Sequence, residues 1–197
     1  APSQLGVFAK SNSFQKYANL QYHIQPLSLE KFGDPLHKFP AFTASVCNLK
    51  PTSRGSIKIN GNNFFSSPKI FTNYLSTKED QEIAVESLNL TRKIISSKAL
   101  RKYQPVEFLP GNHYKTNEEL IEAAGEIGTT IFHPVGTCKM GSVDDKMAVV
   151  DSKLNLIGVK KLKVVDGSVM PKITSGNTNS PIIMIAEKAA NSIINGF

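Results

Sequence analysis

Leu20-Gln-Tyr-His-Ile-Gln-Pro-Leu27 alternates apolar and polar side chains and stops at a proline, which is the pattern of a half-buried strand. Reading outward from it, Gly33-Asp-Pro-Leu-His-Lys-Phe-Pro40 is a loop carrying two prolines. Residues 41–49 are apolar and β-branched enough for a second strand. Pro51-Thr-Ser-Arg-Gly55 is a turn signal. Ser56-Ile-Lys-Ile-Asn60 alternates as a third strand, and Lys69-Ile-Phe-Thr-Asn73 fits a fourth. Strands joined by short turns predict a largely antiparallel sheet.

The period then changes from strand to helix. Thr77-Lys-Glu-Asp80 has the hydroxyl and acids of a helix start, and Ile83, Ala84, Leu88, Ile94 and Ile95 mark a helical face reaching about Leu100. Thr116-Asn-Glu-Glu119 is a capping box, opening a short helix that ends near Gly125 or Gly128. Leu162-Lys-Val-Val165 reads as a short strand running into Asp166-Gly167. Residues 180–195 read as a final helix, with Pro181 in its first turn and Gly196 as its stop. The fold class is therefore α+β, with flanking helices on an antiparallel sheet.

At 197 residues the chain is long enough to bury a real core. Lys and Arg number 23 against 16 Asp and Glu, a net +7. The excess is spread along the chain, densest at Val159-Lys-Lys-Leu-Lys163, with no arginine-rich stripe interleaved with aromatics. That argues against nucleic-acid binding and for a solvated basic face. The longest apolar run, around residues 181–190, is broken by Glu187 and Lys188, so no membrane span is expected. The first residues lack the basic-then-apolar layout of a signal peptide. A cytoplasmic protein is expected, with peripheral membrane attachment as the alternative. Cys47 and Cys138 form neither a disulfide framework nor a CxxC pair, so no metal site is expected.

The chemistry concentrates in two blocks. The first is Phe132-His-Pro-Val-Gly-Thr-Cys-Lys-Met-Gly141. The second contains Val149-Val-Asp151, Leu162-Lys-Val-Val-Asp-Gly-Ser-Val-Met-Pro171, Ser175-Gly-Asn-Thr-Asn-Ser-Pro181 and Ile183-Met-Ile-Ala-Glu-Lys-Ala189. This ordered set resembles the C-terminal part of the glucose–methanol–choline (GMC) family of FAD-dependent oxidoreductases, nearest its choline-dehydrogenase-like members. The likeness is dense from His133 to Ala190 and looser over residues 20–58.

The resemblance implies oxidation of a primary alcohol to an aldehyde by hydride transfer to FAD. The hydroxyl proton then needs a base within hydrogen-bond reach, and imidazole titrates near neutrality. The family's place for that base falls on His133. Its second polar partner is here an asparagine, assigned to Asn179 in preference to Asn177; an amide can hydrogen-bond the substrate oxygen but cannot take its proton. Asp166 and Gly167 match a flavin-contacting turn. The backbone of Asn177, Thr178 and Asn179, just before the last helix, is expected to face the flavin ring. For His23, His37 and His113 the expected role is structural, with His23 keeping a chance of lining the substrate pocket. Cys138 is expected to be a small buried hydrophobe.

No GxGxxG run follows any strand, so the fingerprint that holds the ADP part of FAD is absent from this sequence. The resemblance therefore implies a substrate-binding domain over 1–130. Residues 131–197 then form an active-site block that returns to complete a missing FAD-binding α/β domain. The partners implied are a small alcohol, an electron acceptor and the N-terminal FAD-binding half, in cis or in trans. The competing reading is a non-catalytic module that binds a small molecule or a partner chain and carries no flavin.

Overall fold

A computed structural model of the chain describes residues 3–31 and 33–196. It divides into two compact units. One runs to Ser53 and resumes over Tyr74–Thr129; the other takes Arg54–Asn73 and the chain from Thr130 onward. The sequence groups residues 54–73 with the first 130, whereas the structure groups them with the second unit.

In the first unit, β1 (Leu5–Ala9), β2 (Leu20–Gln25) and β3 (Thr43–Asn48) form an antiparallel sheet in the order β1-β2-β3. The alternation that predicts β2 sets its faces. Leu20 and Tyr22 point to one side and are buried against Ile83 of α1 (Lys78–Ile95), with Ala9, Ile24, Val46 and Leu90 around them. Each such large apolar side chain contributes about 1.5–3 kcal/mol by leaving water. The Tyr22 hydroxyl reaches the Ser87 carbonyl at 3.3 Å, so its buried polar end is satisfied. Burial pushes the Tyr22 phenol up, partly offset by the Thr91 hydroxyl. Thr77 caps α1 by accepting from the Asp80 amide, and the helix stops at Ser96, one turn before the sequence suggests. α2 (Asn117–Ile127) begins with the expected capping box at Thr116 and Glu119 and ends at Gly128. It packs on α1, and its Leu120 and Ala123 are buried.

Two polar knots brace this unit. Arg92 grips Glu107 through Nε and Nη2 at 2.9 and 2.8 Å, and donates to the carbonyls of Gly111 and Tyr114. Asp80 is only 5% exposed. Its carboxylate accepts from the amides of Thr52 and Ser53 at 2.9 and 2.8 Å and from the Asn48 side chain at 3.2 Å. Burial pulls its pKa up, but these bonds, led by the Ser53 side chain, more than offset that and hold the carboxyl below the usual range.

The second unit contains a two-stranded antiparallel sheet of β4 (Ser56–Lys58) and β5 (Lys69–Phe71), and α3 (Asn179–Asn195). Its core is Val150, Leu154, Val169 and Ala189, with Met140, Val164 and Ile185 against them. The strand expected over residues 162–165 is not formed. Only an isolated bridge joins Lys163 to Asn155, with Leu156 N donating to Leu162 O and Val164 N to Leu154 O. The segment docks onto a loop rather than onto a strand. β1, conversely, is absent from the sequence reading: Gly6 and its mostly exposed side chains give no burial pattern to read. Among the described residues no helix is long and apolar enough to cross a membrane, and both cysteines are free.

The Asp80 knot gives a pH test. A carboxyl held below its ordinary value adds stability above that value and loses it as pH falls through the lowered one. Asp80→Ala strands the Thr52 and Ser53 amides and is expected to cost about 1–3 kcal/mol at neutral pH. The difference from wild type should shrink as pH falls below the ordinary aspartate range. Urea unfolding of both proteins across that range is the measurement.

Candidate active site

The motif at residues 132–141 is tied into the second unit by its backbone. Cys138 N donates to Ser168 O at 3.1 Å, Met140 N to Val169 O at 2.9 Å, and Gly141 N to Val150 O at 3.0 Å. Gly136 has φ +90°, and a Cβ there would stand 3.4 Å from the Met170 carbonyl, so the turn after His133 needs a glycine. On the other side of the histidine, Phe132 holds φ +64°, a strained conformation for a bulky residue, and its amide donates to Thr130 Oγ1 at 3.0 Å. His133 is thus set between two unusual backbone positions.

Its ring meets two consecutive residues. Asn177 Nδ2 lies 2.9 Å from His133 Nε2, and Thr178 Oγ1 lies 2.8 Å from Nδ1. Thr178 is 3% exposed, whereas Asn177 is open to solvent and His133 is half-buried. Both partners are neutral, so the ring is oriented without an ion pair at either nitrogen. Asn179, which the sequence favours as the amide partner, is instead the exposed first residue of α3. The structure brings Asn177 to Nε2. The sequence barely separates them: the two asparagines are two positions apart, and only the entry into α3 separates their directions.

Asp166 and Gly167 lie at the start of a 3₁₀ turn, Gly167–Val169, which Asp166 caps by accepting from Ser168 N at 2.7 Å. A Cβ on Gly167 would meet Ile182 Cδ1 of α3 at 2.9 Å, so this glycine lets the turn and the last helix approach. The next residue's hydroxyl, Ser168 Oγ, is buried and has no hydrogen-bond partner among the described residues. At α3, Thr178 occupies the capping position but its side chain makes no cap bond. Beyond the turn, Asp151 organises a loop by accepting from Lys153 N and Asn155 N at 2.8 and 2.9 Å. The Asn155 amide holds its carboxyl below the usual range.

A family profile described as GMC oxidoreductase matches residues 51–186. The chain belongs to the GMC oxidoreductase family. The chain is 38% identical over 187 residues to an oxygen-dependent choline dehydrogenase of Brucella ovis, covering 95% of this chain and 34% of that protein. It is also 38% identical over 189 residues to an oxygen-dependent choline dehydrogenase of Staphylococcus haemolyticus, covering 95% of this chain and 33% of that protein. Among solved structures, pyridoxine 4-oxidase from Mesorbium loti superposes with a TM-score of 0.86 at 28% identity. The match covers 97% of this chain and 38% of that one. The chain thus spans about a third of the length of the curated relatives it matches. The α+β fold class and the GMC resemblance read from the sequence agree with these matches.

The turn after His133 can be tested by itself. Gly136→Ala forces a side chain into the left-handed region and is expected to cost about 1–3 kcal/mol, the usual range for such strain. Chemical unfolding followed by circular dichroism measures it. A cost near zero would show that the turn can relax without its glycine.

Proposed function

We propose that this chain supplies the proton-handling part of an FAD-dependent alcohol oxidoreductase that converts a primary alcohol, choline-like or other, to an aldehyde. The observation that carries the reading is the His133 ring, oriented at both nitrogens by neutral groups inside a family motif. A base must present a lone pair to the alcohol hydroxyl, and a ring clasped in this way is held ready to do so. The alcohol oxygen exchanges the Asn177–Nε2 bond for two contacts. It gives its proton toward Nε2 and accepts from the Asn177 amide, which stabilises alkoxide character as the proton leaves. In this reading the positioning amide is Asn177, and Asn179 acts at the start of α3.

FAD, when bound, supplies the hydride acceptor. The residues present fit a polar ring system. The Thr178 side chain does not cap α3, and Ser168 Oγ is buried with no hydrogen-bond partner among the described residues. Asp166, Gly167, Asn177, Thr178 and Asn179 are the residues proposed to hold the flavin. The ADP part has no cradle in this sequence. We assign it to an N-terminal half of the kind the longer relatives have room for, supplied in cis or in trans. By itself the chain is expected to be inactive.

With that half supplied, His133→Ala is expected to slow the chemical step by roughly 10²–10⁴-fold, the range for loss of a positioned base, with flavin content unchanged. Asn177→Ala is expected to cost less. Asp166→Ala should lower flavin retention rather than discriminate between substrates. Single-turnover reduction with the alcohol, alongside the flavin-to-protein ratio of each purified variant, checks all three. Full activity in His133→Ala would remove the base assignment.

A further inference from the structure

We infer that Thr178 is a positioning residue whose buried hydroxyl fixes His133 as the Nδ1–H tautomer, leaving Nε2 as the bare lone pair; this rests on the proposed role of His133 as base. A neutral imidazole has one donor and one acceptor nitrogen, and the partner at each decides which is which. The Asn177 group at Nε2 is the amide nitrogen, a donor only, at 2.9 Å. Nε2 must therefore accept, and the ring proton belongs on Nδ1. There Thr178 Oγ1 stands at 2.8 Å, placed to accept it. The opposite assignment has Thr178 donating to Nδ1. It sets an Nε2–H against the Asn177 N–H, donor facing donor, and removes the lone pair a base needs.

A second observation separates this role from an ordinary structural one. Thr178 sits at the capping position of α3, where a threonine side chain usually accepts from a helical amide. Its side chain makes no such bond. Its carbonyl performs the backbone task, accepting from Ile182 N at 3.0 Å, and its hydroxyl is spent on the histidine. Free histidine prefers the Nε2–H form, so the Nδ1–H form has to be imposed by the surroundings. The hydroxyl of a residue only 3% exposed is well suited to that, because leaving Nδ1–H beside it unpaired carries the cost of a stranded polar group.

The test reads the ring directly and needs neither flavin nor turnover, so its outcome is separate from that of the His133→Ala kinetics. The 197-residue chain is labelled with ¹⁵N-histidine, and the ring nitrogens are observed at a pH where His133 is neutral, with His133→Gln identifying its signals. The expected result is a majority Nδ1–H form in the wild type and in Thr178→Ser. Thr178→Val keeps the shape but loses the hydroxyl, and its Nδ1–H fraction should fall to the minority. A majority Nε2–H form in the wild type overturns the inference even if the valine variant does not fold. So does a Thr178→Val spectrum that keeps Nδ1–H.

Discussion

The His133 ring is held at both nitrogens by two consecutive residues that lie 44 and 45 positions further along the chain. Closing a loop of that length is entropically costly, and two hydrogen bonds of ordinary strength do not hold it closed alone. Much of the second unit can be understood as the structure that makes the meeting permanent. The backbone of Cys138 and Met140 pairs with Ser168 and Val169, and Gly141 pairs with Val150. Val150, Val169 and Ala189 then bury together, which joins the histidine motif, the 3₁₀ turn and α3 in one core. Gly167 removes the side chain that would keep the turn away from Ile182. The asparagine and threonine at the entrance of α3 are thereby delivered to the ring.

Such an arrangement concentrates strain where the chemistry is proposed. Phe132 and Gly136, on either side of the histidine, both have positive φ. The only justification for a bulky residue at such a position is that its neighbours over-determine it. The Thr130 hydroxyl holds the Phe132 amide, and Thr178, which is buried, holds the ring itself. The first unit shows the same physics in a different role. The Asp80 carboxylate and the Arg92 guanidinium each gather several backbone groups and fix loops to α1.

Much of this was legible in the sequence, for reasons that differ by element. β2 shows its period because one of its faces is buried, and α1 and α2 announce themselves by capping groups whose geometry is local. β1 was not legible because its pairing comes from β2 and not from its own side chains. The segment 162–165 has the composition of a strand, yet its hydrogen bonds go to a loop organised by Asp151. At the site, the histidine, the Asp166-Gly167 turn and the Asn-Thr-Asn run were readable as a group. Which asparagine meets the ring was not, because that depends on where α3 starts, and the two candidates are separated by only the threonine that engages Nδ1.

The proposed role gives this chain the proton-handling part of a GMC site and not the part that grips the dinucleotide. Titrating the 197-residue chain with FAD, followed by flavin fluorescence and absorbance, tests it most directly. No tight, stoichiometric binding is expected, because the glycine-rich turn that receives the pyrophosphate is not in this sequence. Stoichiometric, tight binding of FAD by the chain alone would contradict it and would mean that these residues hold the whole cofactor without the dinucleotide fold.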